Sequence, residues 1–394
     1  MKRSDFTSNG WVRITRGLAG IDVGVPKDLP PTLEFNPALV SALSAADRGL
    51  GQLGGITRAL PNPRLLIRSF IGREAVLSSR IEGTLASLSD LFLFEVTPNI
   101  EETVPDVREV ANYVRALDHG IERLSLIPLS LNLIKELHAI LLYEVRGSQR
   151  LRGEFRKCLV HIGRPRSQIE DATYVPPSPE HLRPLLTAFE RFLNSKSELP
   201  LLVRLAMIHY QFEAIHPFED GNGRLGRLLI SLLLNSERAL PHPVLYLSAF
   251  FERYREQYYG HLLSVSQRGD WSPWIQFFLR GVSDQAIDGV ERAQTLVALR
   301  NRWAATCQTA RTSALLLKLV DDLFRNPFVN LARARSILSV QAQSAQNNIN
   351  QLIERGILVE VTGQKRNRVY AAREIIRILD ETPAFDPWPE EPDA

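Results

Sequence analysis

The chain has 394 residues, 44% of them apolar and 23% charged, which is enough for a sizeable buried core shared among about two or three domains. A formal charge of +3 is too small to argue for nucleic acid or an acidic membrane from bulk charge alone. Cys158 and Cys307 form no metal or redox pattern, no apolar run follows Met1-Lys2-Arg3-Ser4-Asp5, and no stretch reaches the length of a membrane span; the expectation is a cytoplasmic protein with reduced thiols and no membrane partner.

Residues 1–36 are rich in Gly and Pro, close on Leu29-Pro30-Pro31, and read as an extended N-terminal arm. Apolar spacing of three and four then runs from Ala38, with breaks, to about residue 300. It passes through Leu131, Leu133, Ile134, Leu137, Ile140 and Leu141, and again through Leu201, Leu202, Leu205, Ile208 and Phe212. Between these helical stripes, residues 153–179 hold short β-prone pieces, Phe155-Arg156, His161-Ile162 and Thr173-Tyr174-Val175, separated by polar turns, and suggest a hairpin.

The most informative run follows: His216-Pro217-Phe218-Glu219-Asp220-Gly221-Asn222-Gly223-Arg224-Leu225-Gly226-Arg227. The spacing predicts one helix ending near Ile215 and the next beginning at Gly223 or Arg224, its leucines 225, 228, 229, 232 and 233 packing inward. A turn that opens a helix offers free N–H groups and a positive dipole end to an anion. Gly221, Asn222 and Gly223 form that cradle, and Arg224 and Arg227, three apart, share one face and can meet a phosphate tail. His216 has the pKa range of a general base. Asp220 is a hard carboxylate beside phosphates and so a ligand for Mg²⁺ (or Mn²⁺), Phe218 plugs the loop into the core, and Glu219 faces solvent. The run reads as a site for transferring part of a nucleoside triphosphate. Further on, Phe251, Tyr254, Tyr258 and Tyr259 have core spacing, with Tyr258 and Tyr259 also placed to stack on a base.

Residues 313–380 change character. A helix (Ala314 to Phe324), a segment from Leu331 to Leu338, a turn at Ser339-Val340, a helix from Gln341 to Arg355 capped by Gly356, and two strands at 357–361 and 368–371 give a winged helix-turn-helix pattern. Ala345, Ile349, Leu352 and Ile353 make the inner face of its third helix; Gln343, Gln346, Asn347 and Asn350 face outward. With Lys365, Arg366 and Arg368 on the wing, DNA is a candidate partner.

The twelve-residue run is similar, position for position, to the signature of the Fic family, His-Pro-Phe-any-Asp/Glu-Gly-Asn-Gly-Arg-any-any-Arg. The resemblance implies transfer of AMP from ATP to a Ser, Thr or Tyr hydroxyl of a protein, with His216 as base, Asp220 on the metal, and Phe218, Gly221, Asn222, Gly223, Arg224, Arg227, Tyr258 and Tyr259 around the nucleotide. It also implies that the 153–179 segment is a flap where the target lies along Thr173, Tyr174 and Val175. Ser78-Ser79-Arg80-Ile81-Glu82-Gly83 resembles the family's inhibitory motif, so Ser78, Glu82 and Gly83 form a brake in which Glu82 pairs with Arg227. The expected fold class is all-α: a Fic-type helical core with a short β-hairpin flap, followed by a winged helix-turn-helix domain. Its divisions are an N-terminal arm (1–36), a helical region with the inhibitory helix (37–110), a catalytic core (111–300), a winged helix domain (313–380) and an acidic tail (381–394). Two other readings stay open: removal of AMP by the same site, and a nucleotide-sensing DNA-binding regulator. A homo-oligomer is compatible with all three.

Overall fold

The computed structural model describes residues 1–17, 20–59, 64–97, 105–145, 151–163, 168–240, 242–307, 314–364 and 366–381. The N-terminal part holds strands β1 (Val12–Arg16) and β2 (Asp22–Pro26), then helices α1 (Pro37–Ala59), α2 (Arg64–Ile81), α3 (Leu88–Val96), α4 (Pro105–Leu124) and α5 (Leu131–Leu141). The middle holds α6 (Pro179–Asn194), α7 (Leu201–Ile215), α8 (Asn222–Ser236), α9 (Ser248–Arg253), α10 (Arg255–Arg268) and α11 (Trp271–Cys307). The molecule is mostly helical, as its periodicity predicts.

Helices α7 and α8 are buried on nearly every face, from Leu202 to Ile215 and from Leu225 to Leu234, which marks them as the centre of the bundle. Around them pack α6, α11, α4, α5 and α2, and α1 lies along α11. At 37 residues, α11 is about 55 Å long at 1.5 Å per residue.

The N-terminal arm is corrected by the structure. Its strands pair antiparallel from Val12↔Pro26 to Arg16↔Asp22, because β-branched residues alternate on both sides of a short connection. Gly24 lets this hairpin close onto the bundle, since the Tyr174 ring and a Val12 methyl occupy the space a Cβ would need. Trp11 anchors it, edge-on to Trp271 at 5.1 Å and donating from Nε1 to Gln211 Oε1 at 3.2 Å.

The C-terminal segment runs α12 (Ala314–Leu323), β3 (Phe328–Asn330), α13 (Leu331–Leu338), α14 (Ala342–Glu354), β4 (Val359–Glu360), β5 (Val369–Ala371) and α15 (Arg373–Asp380). Its sheet order β3-β5-β4, all antiparallel, is compatible with a winged helix. Strand β3 was not expected, being only three residues long, and the first wing strand is shorter than predicted because Ile357 and Leu358 turn into the core instead. Ala345, Ile349 and Leu352 are buried as expected, but Ile353 is 37% exposed: it sits one step round from Leu352, past the edge of the buried face. Arg366 and Arg368 are exposed; Lys365 and the tail beyond Glu381 lie outside the described residues.

Candidate active site

Helix α7 stops at Ile215 because Pro217 disfavours a right-handed helical conformation at the residue before it. His216 instead takes the left-handed region, φ 50°, uncommon for a residue with a side chain. That reversal turns the imidazole into a cavity of about 550 Å³. Its Nδ1 lies 3.3 Å from the Glu213 carbonyl, so the proton sits on Nδ1 and Nε2 keeps its lone pair. Burial, reinforced by the Arg156 charge, holds His216 down at about 4, so the imidazole is neutral near pH 7.

The turn closes on side chains more than the sequence suggests. Asn222 Oδ1 accepts from the Phe218 N–H and its Nδ2 donates to the Phe218 carbonyl, both at 2.9 Å. Phe218 is wholly buried and stacks on His138 at 3.8 Å between ring centroids. Its assignment to nucleotide contact is therefore corrected: it holds the loop from beneath and does not line the cavity. Gly221 caps α8 with φ 75°, and its N–H is already taken by Asp220 Oδ1 at 2.6 Å. Among the described residues no acceptor meets the N–H groups of Asn222, Gly223 and Arg224, the first turn of α8. These three amides, displaced one residue from the expected Gly221–Gly223 set, are the ones free to donate.

Both signature arginines are occupied. Arg227, 2% exposed, donates from Nη2 to Glu82 Oε1 at 2.7 Å and to the Ser78 carbonyl at 2.9 Å, and from Nε to Ser78 Oγ at 2.9 Å. Glu82 lies just past α2, in a turn ended by Gly83 at φ 95°. A Cβ on Gly223 would collide with the Glu82 carboxylate, so that glycine permits the pairing as well as the turn. Burial pushes Glu82 up, but the charge and hydrogen bond of Arg227, with Arg224 behind it, leave its carboxyl below the usual range. Arg224 pairs with Glu109 of α4 at 2.6 Å and lies 3.8 Å from Asp220.

Several site residues have no sequence motif of their own. Arg156, 2% exposed, donates to the carbonyls of His216 (2.8 Å), Cys158 (3.0 Å), Ile215 (3.3 Å) and Pro177, and so ties the 153–179 segment to the signature. His138 accepts the Gly153 N–H at Nδ1 (2.9 Å) and reaches the Asp220 carbonyl from Nε2 (3.0 Å). Glu213 and Glu109 complete the set. The only sequence cue was a charged or polar residue interrupting an apolar stripe.

The expected flap hairpin is reduced to a minimal antiparallel pairing. Among the described residues the segment shows a single antiparallel bridge, Ile162↔Tyr174, and no regular strand, since Pro176 and Pro177 lack donors. Tyr174 points inward and donates to the Ala214 carbonyl at 3.0 Å, while the Val175 carbonyl accepts from Gly24 of β2 at 2.8 Å. Of the three target-binding candidates only Thr173 is exposed; Thr173 and Tyr174 border the cavity and Val175 does not. Tyr258 is likewise a core residue, 1% exposed, stacked on Phe251 at 4.5 Å and sharing a 2.8 Å hydrogen bond with His209. Its face is not free to stack on a base. Tyr259, 40% exposed, is the accessible ring of the pair.

For a divalent cation the fit is partial by design of the donor set. No group of three or more acidic, His or Cys side chains converges among the described residues, so no all-protein cage exists there. Asp220, 40% exposed at the side chain, offers one carboxylate beside the anion turn, which suits Mg²⁺ held jointly with phosphate oxygens.

His216, the opening turn of α8, Arg224 and Arg227 thus line one cavity of a helical bundle. The Fic/DOC family N-terminal model matches residues 40–122 and the Fic/DOC family model residues 128–234. The chain thus carries a Fic/DOC N-terminal region and a Fic/DOC domain. Among curated relatives, the protein adenylyltransferase Fic of Aedes aegypti is 39% identical over 127 residues, 32% of this chain and 22% of the relative. The Drosophila melanogaster protein of the same name is also 39% identical over 127 residues, 23% of its length. The match thus spans less than a quarter of either relative. A Fic family protein from Desulfovibrio desulfuricans G20 superposes with a TM-score of 0.56 over 87% of this chain and 98% of its own, at 21% identity. Fic-1 of C. elegans gives 0.51 over 67% and 75% at 23% identity. These two establish likeness of fold. No described helix is long and apolar enough to cross a membrane.

Proposed function

We propose that the protein transfers AMP from ATP to a Ser, Thr or Tyr hydroxyl of a target protein, itself included, and that Glu82 restrains the reaction. The observation that carries this reading is the cavity in which His216, Asp220, the opening turn of α8, Arg224 and Arg227 converge. Its volume suits a nucleotide. The name of the curated relatives, protein adenylyltransferase, agrees with it.

In this reading the amides of residues 222–224 and the two arginines bind the phosphates. His216 Nε2 takes the proton of the attacking hydroxyl as the bond to the α-phosphorus forms, and pyrophosphate leaves. A divalent cation, when bound through Asp220, supplies charge neutralisation for the phosphates. Thr173 and the adjoining bridge offer main-chain edges to an extended target segment. Tyr259 covers the base of the nucleotide.

Restraint follows from charge competition. While Glu82 occupies Arg227, a triphosphate meets a carboxylate where it needs a cation, and its reacting phosphate is displaced from His216. The test is intact-mass spectrometry of the Glu82→Gly protein with ATP and Mg²⁺, beside Glu82→Gly/His216→Ala. We expect AMP incorporation to rise about tenfold or more over the parent, the equivalent of about 1.4 kcal/mol in the barrier, and to vanish without His216. A gain of phosphate alone, or AMP incorporation independent of His216, overturns the reading.

A further inference from the structure

Glu213 lies one helical turn before His216 on α7, and the signature does not call for it. Its side chain is 12% exposed, and Oε1 is buried with no hydrogen-bond partner among the described residues. Gly226 of α8 makes the room: a Cβ at that position would collide with Oε1 and would crowd Phe212. The other oxygen, Oε2, lies 4.0 Å from His216 Nδ1, and the backbone carbonyl of the same residue lies 3.3 Å from that nitrogen. A buried carboxyl oxygen without a partner is unfavourable for stability, and packing alone would be better served by an apolar side chain.

We propose that Glu213 is the positioning residue of the base: its carbonyl and its carboxyl group both face Nδ1, keep the ring proton there, and leave the Nε2 lone pair for the incoming hydroxyl. The chemistry rests on the nucleotidyl-transfer reading; the geometry does not. In that reaction the hydroxyl oxygen bonds to the α-phosphorus and the bond from that phosphorus to the bridging oxygen breaks. Pyrophosphate departs with the electron pair, and the hydroxyl proton passes to Nε2. The imidazolium so formed presents Nδ1–H to Glu213, where a carboxylate stabilises it as the third member of a triad does.

The charges around the pair set when that carboxylate exists. Arg227 faces Glu213 from α8, Glu82 from the turn after α2, and Tyr258 and Tyr259 from α10; Arg156, Glu82 and Asp220 act on His216. Burial lifts Glu213 to about 8 against the pull of Arg227, and Glu82 adds to the rise. Near pH 7 the pair is therefore neutral on both sides, and the carboxylate forms as pH climbs through that value.

Two measurements test this on the full chain. The first follows the ¹⁵N resonances of His216, assigned through His216→Ala, across the pH range. The parent is expected to move in two steps, the upper near the Glu213 value, and Glu213→Gln in the lower step only. The second follows AMP incorporation in the Glu82→Gly background. There the rate rises about tenfold through the upper step, the effect of one pKa unit on the base, and Glu213→Gln removes the rise. An upper His216 step that persists in Glu213→Gln, or is missing from the parent, overturns the proposal whatever reaction the protein performs. An unchanged pH profile of an active protein overturns it too. Should the Gln variant fail to fold, Glu213→Asp draws the carboxyl back by one methylene and shrinks the upper step; an undiminished step overturns the proposal.

Discussion

The Glu109 carboxylate holds the Arg224 guanidinium at 2.6 Å, as Glu82 holds that of Arg227 at 2.7 Å. Arg224 is 5% exposed at the side chain and Glu109 14%, so the pair is shielded from screening. On the proposed reading, a triphosphate entering the cavity has to draw Arg224 away from this acid. Replacing Glu109 by Gln in the Glu82→Gly protein is expected to tighten ATP binding about tenfold, one carboxylate near a phosphate having been removed. Titration calorimetry with ATP and Mg²⁺ reads the effect. Weaker binding would instead make Glu109 a guide that aims Arg224 at the phosphates.

Arg156 serves four carbonyls, two of them on the last turn of α7 and its cap, one on Cys158 and one on Pro177. Burial lowers its pKa only to about 10, so it stays charged at neutral pH. Arg156→Met removes the donor from all four carbonyls, those of Ile215 and Pro177 being buried, and hydrogen bonds from a charged donor contribute about 1.5–3 kcal/mol each. A loss of at least about 3 kcal/mol in urea unfolding is the expected result. Arg156→Lys recovers only part of it, since an ammonium cannot reach four acceptors in one plane.

These two residues also show where reading from sequence ends. The anion turn was legible because its chemistry is local: glycine freedom, a proline after His216 and a helix N-terminus act within a dozen residues. The Glu82 pairing joins residues 145 apart, and only a family resemblance could bring them together beforehand. Glu109, Arg156 and Glu213 carry no motif, and their roles come from which element packs against the turn. Tyr258 and Tyr259 are adjacent in sequence, so one must face inward. Which one depends on how α10 rolls against Phe251, and periodicity alone does not decide that. The N-terminal hairpin is hidden in the sequence because glycine and proline obscure a strand pair as short as Val12–Arg16 and Asp22–Pro26.

The C-terminal segment grips the helices on both sides of Glu82. Ser69 of α2 donates to the Phe324 carbonyl at 2.7 Å, and Asn326 donates to the Phe92 carbonyl of α3 and to Glu95, both at 3.0 Å. Arg292 of α11, held by Asp288, caps the last carbonyls of α15 at Ile378 and Glu381, and Asp288 also pairs with Arg73 of α2 at 3.3 Å. Asn326→Ala removes both of its bonds to α3 and leaves the buried Phe328 N–H, which donates to Asn326 Oδ1 at 2.9 Å, without its acceptor, at a cost of about 1–3 kcal/mol in unfolding free energy. Because α3 follows Glu82 closely, the same variant is expected to raise AMP incorporation above the parent. Mass spectrometry of the two proteins under identical conditions checks it, and equal incorporation would show that this grip serves stability alone.

Stability should peak near the ordinary histidine pKa, and the signs can be worked out group by group. Burial lowers His138 to about 4, His209 to about 3 and His216 to about 4, all from 6.5. Unfolding therefore takes up protons below 6.5, and the folded state loses ground as pH falls toward those values. Glu213 works in the opposite sense. Burial raises it from 4.5 to about 8, so unfolding releases a proton between those limits and stability declines as pH rises through them. Buried Glu74, also raised by desolvation, acts in the same direction. Between 4.5 and 6.5 the three histidines outnumber Glu213, so acid destabilises; from 6.5 to 8 Glu213 alone of these four contributes, so alkali does. Each proton changes the slope by about 1.4 kcal/mol per pH unit at most. Thermal melts across this range should show a maximum near 6.5, and the Glu213→Gln protein should lose part of the alkaline decline while keeping the acid one.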